Sequence, residues 1–213
     1  MAGLPPDAQR RAEILKLLER LHRHKDAAYG DAWRKRGEVI AIFANTARKY
    51  DRLTVAFEEQ RPAATEPLAD TVADLCVYAG KYLTWIAEQH PAEFDAADLP
   101  ATANDLSDAR GPDALQALLA AAAKTPTDAP IDALAGWAAV QHSFGTLERG
   151  LMAQATPGPA ASEIPSYAEK AQLAWALVQD TAWLLTRLAD DAPASLNALR
   201  AEVADMDQAP QQP

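Results

Sequence analysis

The chain has 213 residues, 49% of them apolar and 23% charged, with a formal net charge of -10. That balance belongs to a globular protein with a real core, and the acidic total argues against duplex nucleic acid as a partner. No apolar run approaches the ~20 residues a bilayer span needs, and the N-terminus lacks the basic-then-apolar pattern of a signal peptide.

Cys76 is the single cysteine, which excludes an internal disulfide and fits a reducing compartment. The expectation is a cytoplasmic protein with no membrane partner. Alanine is abundant while β-branched and aromatic residues are sparse, so the fold class predicted is all-α.

In chain order, Pro5-Pro6-Asp7 starts a helix to about Asp26, with Ile14, Leu17, Leu18 and Leu21 as its apolar stripe. A glycine-centred turn follows, Tyr29-Gly30-Asp31-Ala32-Trp33. A second helix runs from Glu38 to about Phe57, with Val39, Ile42, Phe43, Tyr50 and Leu53 on one side. Arg61-Pro62 breaks it. Thr65 is placed to cap a third helix, Glu66 to about His90, with Pro67 in its first turn.

Residues 91–112, with three prolines and a glycine, read as a linker with room for a short helix. Asp113–Lys124, Ile131 to about Gln154 and Tyr167–Ala189 read as helices. Asp191–Met206 continues as helix, and Asp207–Pro213 reads as a disordered tail.

The expected organisation is therefore a first half over residues 1–92, a linker over 93–112, a second half over 113–206 and a tail over 207–213. The halves echo each other. A shift of 105 places Leu68 on Leu173, Val72 on Leu177, Tyr78 on Trp183 and Leu83 on Leu188. A shift of 94 places Ile40 on Leu134, Phe43 on Trp137, Tyr50 on Phe144 and Leu53 on Leu147. This predicts a helical bundle of two similar hairpin halves packed as an internal pseudo-dimer. The chain would then be a monomer by internal duplication, with a homodimer as the other arrangement.

Charge is uneven along the chain. Residues 1–61 hold 13 Lys/Arg against 9 Asp/Glu, and the remainder holds 7 against 21. The basic first third is suited to a small polyanion such as a nucleotide, or is simply a solvated helix face.

One stretch stands out: Glu66, Asp70 and Asp74 recur every fourth residue in an otherwise apolar segment. Each four-residue step turns ~40° past a full revolution, so the three form one slowly winding acidic stripe. Like charges at this spacing destabilise a helix by ~0.2–0.5 kcal/mol per pair. Such a stripe calls for a partner cation, either a divalent metal or basic side chains.

Four ordered segments carry a resemblance: Tyr29-Gly30-Asp31-Ala32-Trp33; Lys35-Arg36-Gly37-Glu38; Ala47-Arg48-Lys49-Tyr50-Asp51-Arg52-Leu53; and Glu66…Asp70…Asp74-Leu75…Tyr78. Together, over roughly residues 20–88, the set resembles the nucleotide-modification-associated branch of the all-α nucleoside-triphosphate pyrophosphohydrolases, the MazG-like and dimeric-dUTPase-like proteins. The resemblance implies a four-helix bundle and hydrolysis of a nucleotide between its α and β phosphates. It implies a Mg²⁺ site, with Mn²⁺ as a substitute, built from Asp70, Asp74 and Glu38. The family's clustered E-E-x-x-E is absent, because no acid lies between Glu38 and Asp51.

In that reading Glu66 or Glu38 orients the attacking water, Lys49 and Arg52 neutralise phosphate charge, and Tyr29 and Trp33 stack on a base. The competing reading pairs Asp70 and Asp74 with Lys49 and Arg52 across a helix interface. Glu66 and Glu38 then serve as first-turn acids and Tyr29 and Trp33 as core plugs. The alternative function is a non-catalytic helical interaction protein that keeps the bundle without the metal.

Overall fold

The computed structural model describes residues 5–29, 33, 35, 37–59, 67–99, 113–155 and 164–208. All regular elements among them are helical, as composition predicts. They are α1 (Pro6–Tyr29), a π-helical segment (Glu38–Phe43) that runs directly into α2 (Ala44–Glu58), α3 (Leu68–Gln89), α4 (Pro91–Asp95), α5 (Ala114–Lys124), α6 (Ala133–Ala155), α7 (Tyr167–Asp191) and α8 (Pro193–Gln208). No helix among the described residues is long and apolar enough to cross a membrane.

Sequence signals explain the boundaries. Ser166 caps α7 by accepting from the Glu169 N–H at 3.2 Å, and Glu169 Oε2 accepts from the Ser166 N–H at 2.8 Å. This reciprocal box satisfies two amide donors that a helix start otherwise leaves unpaired. Pro91 and Pro193 open α4 and α8, where their missing N–H costs nothing.

The π-helical segment was not expected. It starts just after Gly37, whose φ of 73° only glycine adopts without strain. The extra residue per turn sets the direction of Glu38 relative to α2. At the far end, α8 extends through Gln208, so Asp207, expected in the tail, is helical. It accepts from His24 Nε2 at 2.7 Å and from Arg20 at 3.4 Å.

The core is one continuous cluster, centred on α3 and α7, which pack along their length. α2 flanks α3, and α6 flanks α7. Gly80 allows this closeness on the α5 side, because a Cβ there would lie 2.4 Å from Leu115 Cδ1.

The two hairpins meet reciprocally. Phe43 stacks near Phe144 with centroids 6.1 Å apart, and Trp137 stacks near Tyr50 at 5.3 Å. Under the 94-residue shift, Phe43 corresponds to Trp137 and Tyr50 to Phe144, so each contact is the image of the other. Likewise α1 packs on α7 of the other half, while α5 packs on α3. These contacts pair positions that the two shifts relate. Even exposure agrees: the matched Ile40 and Leu134 are 69% and 66% exposed.

Candidate functional site

Asp74 lies on α3, facing the last turns of α1 and the buried stripe of α2. Lys25 of α1 donates to its Oδ1 at 3.1 Å, and Lys49 of α2 donates to its Oδ2 at 2.5 Å. The Lys49 side chain is only 8% exposed, because it reaches along the apolar face of α2 to its partner. Burial pushes the Asp74 carboxyl up, but the two ammonium groups outweigh it and hold its pKa below the ordinary carboxylate value. Lys25 is the mirror case. Burial pulls it down, while Asp74, then Glu202 of α8 and Asp70, leave it above the usual lysine value.

Glu38 sits elsewhere. Its carboxylate is buried where the π-helical segment meets α3, α6 and α7. Oε1 accepts from the Tyr82 hydroxyl and from Lys170 Nζ at 3.0 Å; Oε2 accepts from the Tyr167 hydroxyl at 3.1 Å and from Gln154 Nε2 at 3.4 Å. Lys170 also donates to Gln154 Oε1 at 2.5 Å and lies 4.2 Å from the Tyr167 ring centroid. His90 stacks on Tyr167 with centroids 3.3 Å apart, and Trp85 tilts against both rings. Burial and the Glu38 charge push the Tyr82 hydroxyl well above its ordinary pKa and raise that of Tyr167. Both therefore remain donors across the whole working pH range.

The two clusters are separate. Glu38 meets α3 at Tyr82, eight residues beyond Asp74, an axial distance of ~12 Å. Glu38 and Asp74 thus do not converge on one ion, whose Mg–O bonds of ~2.0–2.1 Å would bring the oxygens almost into contact. Asp70 is half-buried on α3 and acts electrostatically on Lys25. Glu66 lies outside the described residues. Among the described residues no group of three or more Asp, Glu, His or Cys side chains is placed to hold a metal. As arranged, Asp74 is met by Lys25 and Lys49, and Glu38 is met by Lys170.

The remaining predicted residues divide by place. Arg52 is on the exposed side of α2, one turn from Lys49. Trp33 is half-buried, and Lys81 Nζ lies 5.2 Å from its ring centroid and 5.9 Å from that of Tyr78. Tyr29 is the last residue of α1, and its side chain lies outside the described set. Asp74, Tyr78 and Lys81 are spaced to share one face of α3, so that face carries a carboxylate, two aromatic rings and three lysines.

Sequence reasoning missed Lys25, Lys170, Tyr82, Tyr167 and Gln154. Lys170 carried a readable signal. It falls in register with the buried Ala174, Leu177 and Thr181 on the apolar stripe of α7, where a cation requires a buried partner.

Cys76 is fully buried, donates to the Val178 carbonyl at 3.7 Å, and has its thiol pushed up to about 12 by burial, which makes it inert.

Comparison with known proteins adds one partial likeness. The chain is 29% identical over 113 residues to the Gene 30 protein of Bacillus phage SP01, covering 43% of this chain and 50% of that protein. The chain thus spans about half the length of this relative. No family model matches the chain, and no solved structure matches it.

Proposed function

We propose that this chain is a non-catalytic helical interaction protein, built on the bundle of a nucleotide pyrophosphohydrolase but held by ion pairs in place of a metal. The observation that carries this reading is Asp74 between Lys25 and Lys49, at 3.1 and 2.5 Å. Two ammonium groups supply the compensating charge that a divalent cation would bring. Glu38 supports the same reading, since Lys170 and three neutral donors use its lone pairs. Ile131 and Leu134, one turn apart where α6 begins and both exposed, offer an apolar contact for another protein.

A second reading keeps the enzyme: a Mg²⁺-dependent pyrophosphohydrolase splitting a nucleotide between its α and β phosphates. One observation favours it. The α3 face places Lys49, Lys81, Tyr78 and Trp33 near the Asp70–Asp74 stripe, which are groups suited to a phosphate chain and a base. In that reading Lys25, whose side chain is 37% exposed, swings away when metal and nucleotide arrive.

A panel of nucleoside and deoxynucleoside triphosphates, incubated with the chain and Mg²⁺ and assayed for pyrophosphate, separates the two. The interaction reading expects no release above a no-protein control. Release that disappears in Asp74→Asn would establish the enzyme instead.

A further inference from the structure

Arg11 of α1 is 2% exposed, so its guanidinium is carried out of water into the seam of α1, α5 and α7. Nη2 donates to the Thr125 carbonyl at 2.5 Å, Nη1 donates to Gln179 Oε1, and the group lies 5.1 Å from the Trp183 ring centroid. Thr125 closes α5, so the guanidinium meets the partial negative end of that helix. Among the described residues no carboxylate acts on it. The neighbouring Arg187, also near Trp183, has its own partner in Asp7 at 2.8 Å.

Among the described residues two donors in this cluster have no acceptor: Arg11 Nε and Gln179 Nε2, both buried. Gln179 is itself 4% exposed. Water would satisfy the two N–H groups but not the charge, and a desolvated cation requires a counter-charge.

The internal two-fold supplies the context. The 105-residue shift places Gln179 on Asp74 and Trp183 on Tyr78. In the first half, cations from α1 and α2 meet a carboxylate. In the second half, a cation from α1 meets an amide instead.

We propose that Arg11 and Gln179 form a buried binding site for a small monovalent anion of the halide class. One positive charge and two free N–H donors match one negative charge on a compact ion. A phosphate or sulfate, with about two charges, would be left half-neutralised there. This inference is independent of whether the α3 face has catalytic activity.

The test uses the full chain, unfolded thermally in sodium chloride, sodium bromide or sodium gluconate at equal ionic strength, so that screening is held constant. The expected result is a midpoint that rises and saturates with either halide but not with gluconate, as ligand linkage requires. Gln179→Glu places a carboxylate beside Arg11; it should raise the gluconate midpoint and abolish the halide dependence. Crystals of the parent soaked in bromide should show an anomalous peak beside Arg11 Nε, a readout that does not depend on any variant folding. Equal midpoints in halide and gluconate, an undiminished halide effect in Gln179→Glu, or no bromide beside Arg11 would each overturn the proposal.

Discussion

Tyr50 and Phe144 stack with ring centroids 4.0 Å apart, and a shift of 94 residues carries one onto the other. Contact between residues that the shift relates is what an internal two-fold would produce. Cys76 and Thr181, equivalent under the 105-residue shift, are also in contact across α3 and α7. The seam between the halves should therefore be a principal source of stability. Phe144 is fully buried in it, so Phe144→Ala should cost about 3–5 kcal/mol, read as a lower urea midpoint with an unchanged slope. A loss under 1 kcal/mol would mean the ladder packs loosely.

The Glu38–Lys170 pair gives a second prediction. Both groups are buried, so Lys170→Met leaves a carboxylate in the core with only neutral donors and should cost about 3–5 kcal/mol. Adding Glu38→Gln should recover part of that loss, because the uncompensated charge is removed. A double-mutant cycle in urea measures the coupling, and strict additivity would refute it.

Much of the fold was legible in the sequence because it rests on periodicity. The apolar stripes of α1, α3 and α7 and the breaks at Arg61-Pro62 and Pro165 left little room for another architecture. The repeat offsets were readable too, and the reciprocal aromatic contacts give them a spatial meaning. The site was less legible. Asp74 and Lys49 could be named as partners, since each stands on a polar side of a helix predicted to be a neighbour. Lys25 comes from a helix 49 residues away, and Lys170 from 132 residues beyond Glu38. No local pattern specifies such pairings. The π-helical start at Glu38, which rotates its carboxylate toward Tyr82 and Lys170 instead of Asp74, has no signature beyond Gly37.

Acid should act through Asp74. Its folded pKa is depressed, so its contribution to stability is present above the ordinary carboxylate pKa of ~3.9 and is lost as pH falls through the lower folded value. Urea midpoints of the parent and of Asp74→Asn, followed downward from pH 6, should converge in that range. A constant gap between them down to the acid transition would contradict the assignment.

Asp180 should behave with the opposite sign. It is half-buried with Ser143 Oγ donating to it at 2.5 Å, and burial raises its pKa against the opposing pull of Ser143 and His142. Its carboxylate form is therefore a cost that vanishes as pH falls and the folded state takes up a proton. Asp180→Asn keeps the acceptor for Ser143 and should be neutral or stabilising at pH 7. A loss above about 1 kcal/mol would point to a cation partner for this group.

Titrating the full chain with Mg²⁺ and Mn²⁺ by isothermal calorimetry, beside the variant Lys25→Gln/Lys49→Gln, tests the central claim most directly. With both lysines on Asp74, the parent should give no saturable metal heat up to millimolar ion, and the variant, its acidic stripe relieved of ammonium, should bind more strongly than the parent. Saturable binding by the parent that is abolished in Asp74→Asn would contradict the account and return Asp74 to the role of metal ligand.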